Sequence, residues 1–185
     1  MPATSSSQGA RTGLDWLTSS LLVTSLVLAV LHHTDHVLRF DHSGWPFRDD
    51  VTTFTYSLLI YPLVLFALLG PARLYWLRWV LIALGTAFVL YAHTVVETPA
   101  GQFDTWAHNH STDPDTAGAP NLLDASAPGL GVLAVVLSMA LNLTAVAATV
   151  AMFVNGVRRR SALPPADSQH RRGRPTSTSS TQRGA

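Results

Sequence analysis

The sequence contains no cysteine and no lysine, and it has few charged residues of any kind. Without cysteine, the chain cannot form disulfides, thiolate zinc sites, iron–sulfur clusters or a CxxCH haem attachment. Only 12% of its 185 residues are charged, whereas 48% are hydrophobic, a balance unlike that of an ordinary soluble domain. Any metal site in this chain must therefore be built without thiolate ligands.

The hydrophobic residues are concentrated in four runs that predict membrane-spanning helices. Short connections favour antiparallel neighbours, so an up-down-up-down bundle is the simplest arrangement of such helices. We therefore predict an all-α polytopic membrane protein, with a four-helix transmembrane domain over 14–156. The predicted spans lie at about 16–38, 53–69, 74–96 and 129–154.

The two flanks of this domain differ from it in composition. Residues 1–13 are rich in Ser, Thr and Gly, and residues 157–185 carry clustered arginines among Ser, Thr and Pro. Segments of this kind have too little apolar surface to fold on their own, so we expect both flanks to be disordered.

The distribution of charge predicts the orientation of the bundle. Arg73 and Arg78 lie between the second and third spans, and residues 158–160, all arginine, follow the fourth, whereas the other two loops are rich in aspartate. By the positive-inside rule, both termini are cytoplasmic in the cell membrane and the acidic loops face outward. Seven of the eight histidines then fall on the outer side: His32, His33, His36, His42, His93, His108 and His110.

The first span ends in ionisable residues, which are costly within a membrane unless they have a function. His32, Asp35, His36 and Arg39 share one helical face, with His33 to one side. Two histidines four residues apart on a helix can offer their imidazoles to one metal ion.

The third span repeats this spacing with His93 and Glu97. His32 lies 16 residues after Trp16, and His93 lies 17 residues after Trp76. These separations correspond to about 24 and 26 Å along a helix, so the two groups should lie at nearly equal depth. Three imidazoles and one carboxylate suit Zn²⁺ or non-haem Fe²⁺. The sequence therefore predicts a metal site formed by His32, His36, His93 and Glu97.

Three neighbouring residues are predicted to support this site or to contact a substrate. Asp35 would orient an imidazole by accepting its second N–H. Arg39 would neutralise a carboxylate or hold an anionic substrate, and His33 is assigned to the same group.

Residues 102–127 are predicted to form a long loop, because Asp, Asn, Pro and Gly are frequent there. His108 and His110 either cover the site as a lid, recruit metal from outside, or are ordinary loop histidines. Trp106 is expected to anchor the loop at the membrane interface.

Several interpretations of the histidine cluster remain open. Without any ion, the same residues could form a hydrogen-bonded polar cap at the outer surface. Alternatively, His93 and either His32 or His36 could ligate a single haem.

The predicted function follows from these alternatives. The leading hypothesis is a metal-dependent enzyme that acts on a lipid-like substrate from the bilayer. The alternatives are a non-catalytic metal-binding, transport or accessory subunit, or a single-haem electron carrier. The lipid bilayer is the predicted partner, and no motif for binding nucleic acid occurs in the sequence.

One stretch of the sequence resembles a known group of proteins. It runs from His32 through Trp45-Pro46 to Thr55-Tyr56-Ser57-Leu58-Leu59 and Tyr61-Pro62. It is similar to small four-span prokaryotic membrane proteins without assigned function, and the resemblance covers roughly the first three spans. It implies a four-helix membrane fold and no particular activity.

Overall fold

The computed structural model describes residues 12–39, 51–112 and 117–161. Every regular element in these ranges is a helix, and no strand occurs within them. His42 and most of the two flanks lie outside the described residues. The prediction of an all-α chain is therefore confirmed for the described part.

Three helical segments are long and apolar enough to cross a membrane. Helix α1, Trp16–Arg39, begins after Asp15, whose side-chain Oδ1 accepts a hydrogen bond from the Thr18 amide at 2.8 Å. Such a cap satisfies an otherwise unpaired N–H at the start of a helix. The other two segments are Ala72–Val96 and Pro128–Ser161.

The predicted second span is an apolar helical stretch broken in its middle. It consists of α2, Thr53–Ser57, and α3, Ile60–Leu69. Pro62 causes the break, because it has no N–H to donate to the Leu58 carbonyl one turn earlier. That carbonyl accepts instead from the Tyr61 amide at 3.2 Å.

The third span changes its helical type at both ends. A 3₁₀ turn over Ala72–Leu74 leads into α4, Tyr75–Tyr91, and a π-helical turn follows over Ala92–Val96. The Glu97 amide closes this wider turn by donating to the Ala92 carbonyl at 2.7 Å. π turns of this kind occur frequently at functional sites.

The prediction of a loop from residue 102 onwards is wrong over its first part, which forms helix α5, Pro99–His108. Thr98 caps this helix by accepting from the Gly101 amide at 3.2 Å, and Pro99 occupies the first helical position. Proline is favoured there because its φ angle already suits a helix. Asn109, with φ of 51°, ends the helix in the left-handed conformation typical of a C-cap.

Helix α6, Pro128–Ser161, extends beyond the predicted limit of 154 and includes Arg158–Arg160. It packs against α1, α4 and α5. Gly131 permits the contact with α5, because a Cβ atom at this position would lie 2.8 Å from the Phe103 carbonyl oxygen. The absence of a side chain therefore allows the two backbones to approach closely.

Helix α6 runs antiparallel to α1 and α4. The carbonyl of Gly13, just before α1, accepts from Asn155 and Arg159 near the end of α6, at 3.0 and 2.7 Å. We call the end of the bundle at which Gly13 and Arg159 meet the arginine end. Farther along, His93 of the third span contacts Asn142 of α6, and we call the end near His93 the histidine end.

The interior between the two ends is largely apolar. Its buried apolar side chains form two clusters. The smaller one consists of Ala29, Val89 and Leu141 and lies towards the histidine end. The larger one contains Leu14, Leu22, Val64, Ala67, Tyr75, Ile82, Ala148 and Met152.

Candidate metal centre

The structure brings together two histidines from the first and third predicted spans. The Nε2 atoms of His32 and His93 lie 2.9 Å apart, and the two rings meet edge to face. His32 is only 3% exposed and His93 only 7%. Two imidazoles therefore direct their Nε2 atoms at one buried point between the helices.

Asn142 determines which nitrogen of each ring carries a proton. Its Oδ1 lies 2.9 Å from His93 Nδ1, so this nitrogen donates and His93 Nε2 is left as an acceptor. His32 Nε2 must then donate to His93 Nε2. His32 Nδ1 becomes a buried acceptor, and it has no hydrogen-bond partner among the described residues.

Glu97 adds an oxygen ligand to the two imidazoles. Donor atoms from His32, His93 and Glu97 all lie within 4.8 Å of one another, so these three residues could hold a metal ion. The π turn positions the carboxylate, because His93 lies within this turn and Glu97 follows it directly.

The Glu97 carboxylate contacts two side chains at the end of α1. Its Oε1 accepts from Arg39, and its Oε2 lies 3.5 Å from His36 Nε2. The His36 ring also stacks on Phe54, with the ring centroids 4.7 Å apart. His36 is thus next to Glu97 but outside the group formed by His32, His93 and Glu97.

Asp35 binds groups other than the imidazole that we expected it to orient. Its Oδ2 accepts from Arg39 Nε at 2.8 Å, and its Oδ1 accepts from Trp106 Nε1 at 2.9 Å. Trp106 is 1% exposed, so the prediction that it anchors at the membrane interface is wrong. Because Arg39 also donates to Glu97, one series of hydrogen bonds runs from Trp106 of α5 through Asp35 and Arg39 to Glu97.

The formal charges of these hydrogen-bonded residues favour the binding of a cation. Asp35 and Glu97 provide two carboxylates, whereas Arg39 provides one guanidinium, which is fully buried. With neutral imidazoles the group carries a net negative charge. A divalent ion in a partly buried setting is stabilised by such an excess.

His33 is fully engaged elsewhere. Its Nδ1 lies 2.7 Å from the Tyr61 hydroxyl and its Nε2 lies 2.8 Å from Ser57 Oγ. These partners belong to α3 and α2, on either side of the break caused by Pro62. His33 therefore ties the broken second span to α1.

The two histidines proposed as a lid lie on the surface at the end of α5. His108 is exposed, and its Nε2 lies 3.8 Å from Asp104 Oδ1. His110 is also exposed. The buried contact between α5 and the site comes instead from Trp106, and the role of the two histidines stays a prediction.

The spacing of the donors suits a small ion. Two nitrogens that bind one Zn²⁺ at about 2.0–2.1 Å lie roughly 3.0–3.4 Å apart, depending on the coordination angle. The 2.9 Å between His32 and His93 is close to this range. A haem would need the nitrogens on opposite faces of a porphyrin, whereas these two rings are in direct contact. The geometry thus favours an ion over haem.

Comparisons with protein-family models, curated proteins and solved structures find no match to this chain.

Proposed function

We propose that this protein is an integral membrane metalloprotein that binds Zn²⁺ or Fe²⁺ through His32, His93 and Glu97. The observation that carries the proposal is the buried pair of imidazoles, whose Nε2 atoms lie 2.9 Å apart with Glu97 beside them. An ion between these nitrogens would take the place of the proton on His32 Nε2, and His32 would then carry its proton on Nδ1 and bind as a neutral imidazole. His36, next to Glu97, is the proposed fourth ligand.

The proposed topology has all four spans crossing the membrane, with the histidine end outward. Arg158–Arg160 lie at the end of α6, close to Gly13 and Arg78 at the arginine end of the bundle. Cytoplasmic ends of membrane helices are enriched in such residues. Both termini are therefore proposed to be cytoplasmic. The stretch Thr53–Leu69, about 25 Å long as a helix, would be the second crossing.

The proposed activity is metal-dependent chemistry on a lipid-like substrate. Four protein ligands still leave a position for water or substrate on an ion that takes more than four ligands, as non-haem Fe²⁺ does and as Zn²⁺ does when it becomes five-coordinate. The ion would supply either an activated water or, as iron, oxygen activation. A transport function has less support, because the interior between the two ends is largely apolar and its buried polar residues, such as Ser25 and Thr86, are few.

Cobalt titration of the detergent-purified protein tests the proposal. Co²⁺ replaces Zn²⁺ or Fe²⁺ in nitrogen and oxygen sites, and its visible absorption reports the number and geometry of its ligands. We expect one Co²⁺ per wild-type chain, and loss of the absorption bands in His32→Ala and in His93→Ala.

The exposed His108 provides a matched control, because it lies outside the proposed ligand set. His108→Ala should bind Co²⁺ as the wild type does. If the bands are absent from the wild type, or persist in both ligand variants, the proposal is wrong and the polar-cap interpretation stands.

A further inference from the structure

An apolar groove lies between the broken second span and α4. Its volume is about 240 Å³. Ile60 and Leu63 line one wall, and Leu84 and Phe88 line the other, with Gly85 between them. The missing side chain at Gly85 helps to create the space.

The groove opens on the outside of the bundle. Leu59, at its rim, is 55% exposed and Leu84 is 63% exposed. When the bundle lies in a bilayer, this face is in contact with hydrocarbon. An opening in that region can be filled only by apolar groups, because no water is present to occupy it.

One end of the groove is polar. Tyr56 and Ser57 contribute to its lining there, and Ser57 Oγ is hydrogen-bonded to His33 at 2.8 Å. Val89, also in the lining, lies one helical turn before His93. The groove thus has two hydroxyl-bearing residues towards the histidine end, of which Ser57 also donates to the Phe54 carbonyl at 2.6 Å, and its other lining residues are apolar.

We propose that this groove is a binding site for a single acyl chain of a membrane lipid. The chain lies against Gly85, and the polar group that carries it lies beside Tyr56 and Ser57. The lining, apolar along most of the groove, matches the hydrocarbon of an acyl chain, and the two hydroxyl-bearing residues lie at one end of it.

The size of the groove decides whether an acyl chain or a protein helix can occupy it. At roughly 30 Å³ for each water-sized group, which is close to the size of a methylene, the space holds about eight such groups. A helix, by contrast, is about 10–12 Å in diameter with its side chains. A helix of a second copy could therefore cover the opening but could not enter it. The proposal does not depend on the metal centre, since none of its ligands lines the groove.

Photo-crosslinking in liposomes tests the proposal. The full chain is reconstituted in phosphatidylcholine that contains a trace of phosphatidylcholine with a diazirine on one acyl chain, and adducts are mapped by mass spectrometry. We expect adducts concentrated in residues 56–63 and 84–89. Leu143 of α6, which is 73% exposed, provides the background level for a surface that merely faces lipid.

Substitutions at Gly85 test occupancy of the groove. A Cβ here would meet only Leu63, at an ordinary 3.5 Å, so Gly85→Ala should fold and still be labelled. Gly85→Leu fills the space and should reduce groove adducts about tenfold. Ala147→Leu adds the same bulk on the exposed surface of α6 and should leave them unchanged. Gly85→Val provides a smaller filling variant if Gly85→Leu does not fold.

Two results would overturn the proposal. Adducts spread evenly over the groove and the Leu143 surface would show that the groove has no preference for a chain. Oxidation of a Leu84→Cys variant tests the alternative occupant, because the natural chain has no cysteine. Disulfide-linked dimers in the liposomes, together with absent groove adducts, would mean that a second copy covers this face.

Discussion

At the scale of single residues, His93 links the proposed metal ligands to the rest of the bundle. Both of its ring nitrogens are engaged, one by Asn142 and one by His32. Asn142 therefore keeps His93 Nε2 free of its own proton and directed at His32. The same arrangement prepares His93 Nε2 to bind an ion.

Asn142→Leu should weaken metal binding without removing a ligand. The substitution leaves His93 Nδ1–H without an acceptor, and losses of such outer partners cost about 10–100-fold in metal affinity. Asn142→Asp keeps an acceptor and should retain most of the affinity. Competition for Co²⁺ with a chelator measures both variants. Equal affinities of the wild type and Asn142→Leu would contradict this role.

Arg39→Gln should make folding depend on metal. The substitution leaves Asp35 and Glu97 without their buried cation, and breaking a buried ion pair costs about 3–5 kcal/mol. We expect a lower melting temperature, and a larger rise on adding Zn²⁺ than in the wild type, because the ion replaces the lost charge.

Arg73, which is exposed on the 3₁₀ turn, provides the control for this substitution. Arg73→Gln should melt as the wild type does, with or without Zn²⁺. If Zn²⁺ raises the melting temperature of Arg39→Gln no more than that of the wild type, the carboxylates do not contribute to an ion site.

Some of these residues could be predicted from spacing and others could not. The matched positions of His32 and His93 along their spans predict that the two side chains lie at similar depth in the membrane. The four-residue spacing from His93 to Glu97 predicts that these two side chains lie on one helical face. The partners of Asp35 depend on how α5 packs, and no pattern in the chain specifies that Trp106 reaches it. Asn142 lies among apolar residues of α6, where only packing shows which ring it contacts.

At the scale of helices, α5 is the element that sequence patterns misplaced. Thr98-Pro99 can end one helix or begin the next, and here it does both. The π turn before it also has no signal in the sequence. These two features place Glu97 beside the histidines and Trp106 over Asp35, so the local geometry of the site depends on them.

Trp106→Phe should loosen helix α5. The substitution removes the hydrogen bond to Asp35, and a bond to a charged group contributes about 1.5–3 kcal/mol. Local opening of Pro99–His108 should become about 10–100-fold more frequent, which hydrogen exchange of its amides measures. Trp16→Phe is the control, because Trp16 is 81% exposed. Unchanged exchange in Trp106→Phe would mean that α5 is held by other contacts.

At the scale of the whole molecule, the apolar runs predicted the helical class, and the structure bears out three helices long enough to cross a membrane. The interruption around Leu58 follows from Pro62, which has no N–H to donate to the Leu58 carbonyl. The crossing of the membrane by all four segments remains a prediction from the apolar runs, and the orientation of the bundle remains a prediction from the charge distribution.

Cysteine labelling tests the predicted orientation, since the chain has no natural thiol. Ser161→Cys marks the arginine end and His108→Cys marks the histidine end, and both positions are exposed. An impermeant maleimide added to intact cells should label His108→Cys only, and Ser161→Cys should react after permeabilisation. The reverse pattern would mean that the histidine end faces the cytoplasm.

Metal analysis of the purified protein tests the central claim most directly. Wild type, His32→Ala and His93→Ala are purified in parallel without chelators, and zinc and iron are measured per chain. We predict stoichiometric metal in the wild type and loss of it in both variants, since both imidazoles are proposed to bind the same ion. Metal-free wild type that also fails to take up added Zn²⁺ or Fe²⁺ would contradict the account.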